Sequence, residues 1–141
     1  MPANSESVLL IDDEPADREL MGRALQSEGY HVFQAGDYTS GVAAFENHKS
    51  EINLLVVDVS LPGKNGCELA RTLLSQKPDL RVLFISGHVG AEVVRFYGID
   101  VTDLFFLRKP FKLPDLVKRV RRVLDSSAPL PNVIVRSRVA E

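Results

Sequence analysis

The sequence predicts an α/β fold in which a doubly wound, five-stranded parallel sheet is covered by five helices. Short apolar runs alternate with segments of helical periodicity from about residue 7 to residue 125. The strand-like runs are apolar at nearly every position, which is typical of strands buried on both faces. Parallel strands need a crossover connection, and the intervening helical segments supply it.

Three strands and two helices account for the first part of the chain. The predicted strands are Val8–Ile11, His31–Ala35 and Leu54–Asp58. Between the first two strands, a helix begins near Pro15, which suits a first helical turn, and ends before Gly29, a residue type common after helix ends. Its apolar residues at helical spacing are Leu20, Met21, Ala24 and Leu25. A second helix begins after the capping residue Asp37 and continues to about His48.

The second part of the chain predicts two further strands and three helices. In chain order these are a helix that ends near Lys77, a strand over Val82–Ser86, a short helix over Ala91–Tyr97, a strand over Leu104–Lys109 and a helix from Pro114 to about Asp125. β-Branched and aromatic residues lower the helix propensity of Ala91–Tyr97, so packing must stabilise this helix. The last helix carries one apolar stripe for the core.

The length of 141 residues indicates a single domain. We expect residues 1–6 to be a disordered N-terminus and residues 7–125 to form the domain. Residues 126–141 contain two prolines and an apolar alternation over Val133–Val135. They are expected to be a C-terminal tail or linker with room for one edge strand.

Composition excludes several classes of function. The chain is 45% hydrophobic and 26% charged, and its net charge of −2 gives no overall attraction to nucleic acid or acidic membranes. The single cysteine, Cys67, rules out an internal disulfide and a cysteine-rich zinc site, and we expect it to be a buried or bystander thiol. No signal-peptide pattern or apolar run of ~18–20 residues is present. We therefore expect a cytoplasmic protein without a membrane contact.

Charged and hydroxyl side chains follow the predicted strands. Asp12, Asp13, Asp58, Ser86 and Lys109 each lie at the carboxyl end of a predicted strand. Because ligands of such sheets bind beyond the carboxyl ends of the strands, we expect these five side chains to converge. Clustered carboxylates repel one another unless a cation is present. A donor set made only of oxygen atoms favours Mg²⁺ over Zn²⁺ or copper.

The same five residues suit phosphoryl transfer. That reaction requires the positioning of reactants and the neutralisation of phosphoryl oxygens, which a metal ion, a lysine and a serine hydroxyl can supply. A carboxylate can act as the nucleophile and form a covalent intermediate. The sequence therefore predicts phosphoryl chemistry at this edge of the sheet.

Four segments of the sequence resemble the receiver domain of two-component response regulators. They are Asp12-Asp13-Glu14-Pro15 after an apolar strand, Leu54–Asp58 followed by Leu61-Pro62-Gly63 and Asn65-Gly66, Ile85-Ser86-Gly87, and Lys109-Pro110-Phe111. The resemblance covers about residues 7–125. It implies a flavodoxin-like sheet with the strand order 2-1-3-4-5 and a function in two-component or phosphorelay signal transduction.

The resemblance implies a role for each acidic residue. Asp58 would be the phosphoacceptor, which takes a phosphoryl group from a phosphohistidine. Asp13, Asp58 and the backbone carbonyl of Ser60 would bind Mg²⁺ directly, and Asp12 would act through water. Mn²⁺ can substitute for Mg²⁺ in such an oxygen site.

The resemblance also implies roles for the residues around the phosphoryl group. Ser86 would hydrogen-bond to it, Lys109 would pair with it, and Phe106 would be a switch residue that swings inward as Ser86 moves. Ser60 and His88 occupy positions that influence how long the phosphoryl group survives hydrolysis. The Lys109–Pro110 bond matches a position that is usually a cis peptide in the family, and the free-energy cost of the cis form is small before proline.

The implied phosphodonor is a histidine kinase or a histidine phosphotransfer protein. Phosphorylation would switch a surface made by Ala91–Tyr97, Leu104–Lys109 and the last helix, which binds a downstream protein target that the sequence does not identify. A phosphorylation-dependent dimer is compatible with this mode of action, whereas direct nucleic-acid binding by the domain is not expected. The polar loop Ile99–Asp103 and the segment Ile85–His88 resemble receivers attached to hybrid sensor kinases.

Other interpretations are open from the residues alone. Asp12 and Asp13 could form a turn and an N-cap ahead of the first helix. A basic cluster on the last helix could bind nucleic acid or could be the solvated side of that helix. Its members are Lys118, Arg119, Arg121 and Arg122. The chain could also be a pseudo-receiver that never takes phosphate, or a phosphatase with an aspartate nucleophile, which would need an Asp-x-Asp arrangement and a cap for its substrate.

Overall fold

The computed structural model describes residues 5–87, 95, 99–100, 103–126 and 132–133. Its strands are β1 (Ser7–Ile11), β2 (His31–Ala35), β3 (Ile52–Asp58), β4 (Arg81–Ser86), β5 (Ile99–Asp100), β6 (Phe106–Arg108) and β7 (Asn132–Val133). Its α-helices are α1 (Pro15–Gln26), α2 (Tyr38–His48), α3 (Gly66–Gln76) and α4 (Leu113–Asp125), and a 3₁₀ helix covers Asp103–Phe105. The predicted helix Ala91–Tyr97, apart from residue 95, and His88 lie outside the described residues.

Five strands form one parallel sheet with the order β2-β1-β3-β4-β6. This confirms the predicted order 2-1-3-4-5, because β6 is the fifth strand of the prediction. At the carboxyl ends, Ile11 of β1 pairs with Val57 of β3, and Asp58 of β3 pairs with Ile85 of β4. The three central strands therefore end side by side, and the strand order reverses between β1 and β3, where such sheets bind ligands.

Two hydrophobic cores lie on opposite faces of the sheet. Along β1, Leu9 and Ile11 belong to the core beneath α2 and α3, whereas Val8 and Leu10 belong to the core beneath α1 and α4. All four side chains are fully buried. Successive side chains of a strand point to opposite faces, so a strand covered on both sides must be apolar throughout.

The region before the fifth strand of the sheet differs from the prediction. The predicted strand Leu104–Lys109 is shorter, because Asp103–Phe105 is a 3₁₀ helix and only Phe106–Arg108 pairs with β4. β6 is an edge strand, so its pairing stops where its single neighbour β4 ends at Ser86. The predicted loop Ile99–Asp103 begins with the two-residue strand β5, which pairs antiparallel with β7 at the start of the predicted tail alternation.

Side-chain caps fix where α2 and α3 begin. Asp37 accepts a hydrogen bond from the backbone N–H of Ser40 at 2.8 Å, which confirms the predicted cap of α2. Asn65 accepts hydrogen bonds from the backbone N–H groups of Cys67 and Glu68 at 2.9 and 3.0 Å. The Glu68 carboxylate in turn accepts a hydrogen bond from the Asn65 N–H at 3.0 Å, which completes a capping box.

The described helices are short. α4, with 13 residues, is the longest of them. Within the described ranges, no helix combines the length and the apolar character that crossing a lipid bilayer requires.

An ion-pair cluster ties the start of the chain to α4. Arg121 donates hydrogen bonds to both carboxylate oxygens of Glu6 at 3.3 and 2.9 Å, to Asp125 at 2.8 Å and to the Tyr30 hydroxyl at 3.2 Å. The hydrogen bond from Arg121 lowers the pKa of Glu6 and outweighs the opposing effect of burial. Glu6, the last residue of the predicted N-terminal segment, is thereby held against the domain.

Leu25 and Leu20 on α1 provide a matched test of the core. Leu25 is fully buried, whereas Leu20 is 53% exposed although both lie at helical spacing. We predict that Leu25→Ala lowers the free energy of unfolding by about 2–5 kcal/mol, since it leaves a cavity. Leu20→Ala removes the same atoms from a solvated position and should cost far less. Urea unfolding of both variants measures the difference, and equal losses would contradict the assignment of Leu25 to the core.

The Glu6–Arg121 pair predicts a pH-dependent contribution to stability. Glu6→Gln should lower the free energy of unfolding by up to about 1 kcal/mol near neutral pH, the scale of a partly exposed pair. Because the folded-state pKa of Glu6 lies below 4.5, the stabilisation is present above pH 4.5 and is lost as pH falls through the folded-state pKa.

The measurement is the difference in unfolding free energy between the unaltered protein and Glu6→Gln as a function of pH. This difference should shrink on acidification below pH 4.5. Glu46→Gln is the control, since Glu46 is exposed and makes no ion pair within the described part of the chain. A Glu6→Gln difference that stays constant with pH would count against the pair.

Candidate functional site

The predicted site residues lie at one edge of the sheet. Asp12 and Asp13 follow β1, Asp58 and Ser86 end β3 and β4, and Lys109 follows β6. The structure brings three carboxylates together, because one oxygen atom from each of Asp12, Asp13 and Asp58 lies within 4.8 Å of the others. Residues far apart along the chain meet here because parallel strands end at a common edge.

Asp58 is held at both carboxylate oxygens. Oδ1 accepts a hydrogen bond from the backbone N–H of Ser60 at 2.7 Å, and Oδ2 accepts one from Lys109 Nζ at 2.6 Å. The residue is only 4% exposed. Burial of a carboxylate is costly unless the group is paired and hydrogen-bonded, so these two donors make the position of Asp58 tolerable.

Asp12 is buried more completely, with 1% of its surface exposed. Its Oδ1 accepts a hydrogen bond from the backbone N–H of Glu14 at 2.8 Å. Its Oδ2 lies 3.8 Å from Lys109 Nζ and has no hydrogen-bond partner among the described residues. Burial raises the pKa of Asp12, against the opposing effects of the Glu14 N–H and the Lys109 charge.

The interpretation of Asp12 and Asp13 as an N-cap is wrong for α1. The N-cap residue of this helix is Glu14, which makes no side-chain capping bond, and Pro15 occupies the first turn. Asp12 does form a local turn through its bond to the Glu14 N–H. The turn accounts for the hydrogen bond of Asp12 Oδ1, whereas the buried Oδ2 takes no part in it.

Lys109 places a positive charge between the acidic groups. Burial opposes that charge, but the hydrogen bond and the negative charge of Asp58 outweigh burial and raise the pKa of Lys109. The backbone N–H of Lys109 donates to the Ser86 carbonyl at 2.8 Å, which extends the pairing of β6 with β4. The peptide bond that follows, Lys109–Pro110, is cis as predicted.

The donor set fits a divalent cation with a preference for oxygen. Three carboxylates and one ammonium group leave two uncompensated negative charges when all four groups are ionised. Among the residues that the structure describes, no histidine or thiolate belongs to the cluster, and Asp12 Oδ2 is an acceptor without a donor. Oxygen ligands of this kind suit Mg²⁺.

Asp13 and Ser60 lie on the open side of the cluster. Both residues are exposed, unlike Asp12 and Asp58. The Ser60 backbone is fixed through its N–H to Asp58. An exposed carboxylate beside a buried pair leaves the site accessible from solvent.

Gly66, the first residue of α3, allows that helix to pack directly on the end of β3. A Cβ atom at this position would overlap the carbonyl oxygen of Asp58. The Gly66 N–H also donates a hydrogen bond to the Val59 carbonyl at 3.0 Å. In the sequence, Asn65-Gly66 is recognisable only as part of a motif, because this packing joins residues on two elements.

Ser86 and Phe106 lie on the β4 and β6 side of Asp58. Ser86 is buried with 2% exposed, one residue after the Ile85 that pairs with Asp58. Phe106 is half-buried, pairs with Phe84 across the strands and packs against the core beneath α2 and α3. Both residues therefore lie where a change at Asp58 could reach the edge strand.

Arg18 is a second residue that the sequence analysis missed. Its Nη1 donates a hydrogen bond of 2.6 Å to the backbone carbonyl of Asp12. The sequence feature that could have indicated Arg18 is a cationic residue one turn into the helix that follows Asp12 and Asp13. Gly36 adjoins it, since a Cβ there would lie 3.0 Å from Arg18 Nη1.

Two other predicted features have structural explanations. In the basic cluster of α4, Arg119 donates to the Phe106 carbonyl at 2.7 Å, and Arg121 belongs to the Glu6 ion-pair cluster. These two arginines therefore make contacts within the domain. Cys67 is fully buried, which confirms the buried thiol, and burial raises its pKa to about 12.

Comparison with known proteins places this geometry in a family. A family model described as the response regulator receiver domain matches residues 8–121. The response regulator receiver protein CpdR of Brucella abortus (strain 2308) is 35% identical over 119 residues, which cover 83% of this chain and 95% of CpdR.

Longer relatives contain the matched region as a part. The sensor kinase CckA of Brucella abortus (strain 2308) is 35% identical over 123 residues, which are 87% of this chain and 13% of CckA. The probable transcriptional regulatory protein TcrX of Mycobacterium tuberculosis is 33% identical over 118 residues, which are 84% of this chain and 49% of TcrX.

Solved structures share the fold. A CheY-like response regulator receiver domain protein from Methanospirillum hungatei JF-1 superposes with a TM-score of 0.75 at 26% identity, covering 86% of this chain and 95% of the other. The receiver domain of NtrX from Brucella abortus gives a TM-score of 0.71 at 32% identity, covering 85% and 99%. With the family match extending over most of its length, the chain belongs to the response regulator receiver domain family, the phosphoacceptor modules of two-component signal transduction.

Proposed function

We propose that Asp58 is the phosphoacceptor of this receiver domain and that a histidine kinase or a histidine phosphotransfer protein is the donor. The observation that carries the proposal is the buried pair of Asp58 and Lys109, 2.6 Å apart, beside the carboxylates of Asp12 and Asp13. A carboxylate nucleophile, a fixed ammonium group and an acidic cluster that fits Mg²⁺ are the groups that phosphoryl transfer requires.

In the proposed step, a carboxylate oxygen of Asp58 attacks phosphorus while the bond between phosphorus and the donor histidine nitrogen breaks. The nitrogen keeps the electron pair of that bond, and an acyl phosphate forms on Asp58. The Ser60 N–H fixes the carboxylate through Oδ1. Lys109 Nζ, already 2.6 Å from Oδ2, then pairs with an oxygen of the transferred group.

Asp13, Asp58 and the Ser60 carbonyl are the proposed direct ligands of Mg²⁺, with Asp12 acting through water. The buried acceptor Asp12 Oδ2, which has no hydrogen-bond donor among the described residues, supports the water-mediated role. Mg²⁺, when bound, supplies positive charge for the phosphoryl oxygens, and Mn²⁺ can take its place.

Ser86 and Phe106 are the proposed switch residues. A hydrogen bond from Ser86 to the phosphoryl group would draw the end of β4 toward Asp58, and Phe106 would turn inward. Such a shift selects one of two arrangements and so changes the surface formed by segment 91–97, β6 and α4. The half-buried state of Phe106 on an edge strand supports a residue that can change its packing.

A hollow that adjoins the Asp12 and Lys109 side of the site offers a surface for the donor protein. This cavity of about 300 Å³ opens next to Asp12 and Lys109, and its lining includes Leu20, Met21 and Phe111. Leu20 is 53% exposed, so the hollow has an apolar rim that a donor protein could cover.

A phosphorylation-dependent dimer and a place within a hybrid sensor kinase are further parts of the proposal. The likeness to CckA supports the second of these.

The two alternative functions lack supporting observations. A pseudo-receiver would have lost an acidic, serine or lysine member of the set, and Asp12, Asp13, Asp58, Ser86 and Lys109 are all present. A phosphatase would carry its nucleophile on the first strand, whereas the carboxylate paired with lysine is at the end of the third strand, β3.

Phosphorylation by a small phosphodonor tests the proposed function. With acetyl phosphate and Mg²⁺, we expect the intact mass to rise by one phosphoryl group, and we expect Asp58→Asn or removal of Mg²⁺ by chelation to abolish the increase. Asp79→Asn is the control, because Asp79 is exposed near the opposite edge of the sheet. A phosphoryl group on Asp58→Asn, or none on the unaltered protein, would contradict the proposal.

Ser60 and His88 are proposed to set the lifetime of the acyl phosphate. Exchanging Ser60 or His88 for alanine should change the rate of phosphate loss more than the rate of phosphorylation, because the residues at these two positions border the phosphoryl group in similar receiver domains. The decay of the phosphorylated mass after removal of acetyl phosphate gives the first rate. Unchanged decay in both variants would refute the role.

A further inference from the structure

The peptide that joins Asp12 to Asp13 is held by Arg18. Arg18 lies one turn into α1, is half-buried, and donates from Nη1 to the Asp12 carbonyl at 2.6 Å. On the other side of Asp12, the backbone N–H donates to the Ala35 carbonyl at 3.2 Å. The Asp12 Oδ1 accepts from the Glu14 N–H. Asp12 is therefore fixed at its N–H, its carboxylate and its carbonyl.

Asp13 has no such support of its own. It is exposed, and its carboxylate makes no hydrogen bond or ion pair with the residues that the structure describes. Yet one of its oxygens lies within 4.8 Å of ligand atoms of Asp12 and Asp58. The position of the Asp13 carboxylate consequently depends on the orientation of the preceding peptide, whose carbonyl Arg18 holds.

Gly36 provides the space for this contact. Its backbone does not adopt a positive φ angle, so conformational freedom does not explain a glycine here. A Cβ at residue 36 would lie 3.0 Å from Arg18 Nη1 and 4.0 Å from the Asp12 carbonyl oxygen. The missing side chain leaves room for the guanidinium group between the end of β2 and the end of β1.

We infer that Arg18 is a positioning residue for the metal site, which holds the Asp12–Asp13 peptide so that Asp13 faces Asp58, and that Gly36 keeps its place open. The inference rests on the proposed function, because it needs Asp13 as a ligand of Mg²⁺. It concerns the backbone carbonyl of Asp12 and assigns Arg18 no contact with the phosphoryl group.

Electrostatics alone predicts the opposite effect of removing Arg18. A guanidinium group beside the acidic cluster repels a divalent cation, so its loss would strengthen Mg²⁺ binding if charge were its only contribution. Loss of a positioning contact would weaken Mg²⁺ binding, typically by at least about tenfold when a partner that orients a metal ligand is removed. The direction of the change therefore separates the two roles.

The first test is Mg²⁺ titration of the full chain, followed by backbone amide NMR shifts. We expect Arg18→Met to raise the Kd for Mg²⁺ by about tenfold and Arg18→Lys, which keeps a donor, to raise it less. Arg23→Met is the matched control on the same helix, because Arg23 is exposed and pairs only with Glu19 among the contacts described for it. An unchanged or lower Kd in Arg18→Met overturns the inference.

The second test uses Gly36→Ala in two backgrounds. In the unaltered protein the new methyl group, 3.0 Å from Arg18 Nη1, should push the guanidinium group away from the Asp12 carbonyl and raise the Kd for Mg²⁺ slightly, whereas in Arg18→Ala it should have no further effect. Equal effects in both backgrounds would show that Gly36 acts independently of Arg18 and would overturn its assigned role. Unfolding free energies without Mg²⁺ separate the loss of affinity from a loss of folded protein.

The outcomes also separate this inference from the proposed function. If the unaltered protein binds Mg²⁺ and is phosphorylated at Asp58 while Arg18→Met behaves identically, the inference alone fails. If the unaltered protein binds no Mg²⁺, the proposed metal site fails and the inference fails with it.

Discussion

Repulsion among three carboxylates at one edge of the sheet is the constraint on which the rest of the structure depends. Asp12 and Asp58 are buried, so water screens their charges poorly. Lys109 offsets part of this repulsion, because its ammonium group lies 2.6 Å from Asp58 Oδ2 and 3.8 Å from Asp12 Oδ2. Such an arrangement persists only if the backbone that carries the charges cannot spread apart.

The two cores supply that rigidity. The cores bury β1 and β3 from both faces, and the two strands pair without interruption from Val8 and Leu54 to Ile11 and Val57, the residues that precede the acidic groups. Hydrogen bonds from Glu14 and Ser60 then hold the carboxylates themselves. Fold stability and site geometry are thus linked, because the burial that holds the strands together also keeps like charges near one another.

Much of the architecture could be predicted because it depends on local patterns. Apolar runs gave the sheet strands, and a single residue, Asp37, marked the start of α2. The predictions are less accurate at the edge of the sheet, where a strand has a neighbour on only one side. There β6 is shorter than predicted, because the preceding residues form a 3₁₀ helix. Leu20 shares the spacing of core residues but is exposed, since spacing alone does not tell how far the apolar face extends.

The candidate site was predictable where strand ends determine it. Asp58 and Lys109 follow strands, so the topology brings them together. Arg18, Gly36 and Gly66 could not be found in this way, because their contacts depend on distances between elements that only coordinates provide. Charged residues at strand ends can be recognised in a sequence, whereas glycines that permit a close contact between two elements cannot.

The close approach of Gly66 to Asp58 has a consequence for the direction of any structural response. With no side chain at Gly66, the first turn of α3 rests directly against the backbone carbonyl of Asp58, the proposed acceptor residue. Within the sheet, Asp58 lies beside the end of β4, and beyond β4 the described part of the sheet ends with the three-residue strand β6. The backbone of Asp58 is thus braced by the start of α3, so a displacement of that backbone toward α3 is resisted by direct contact.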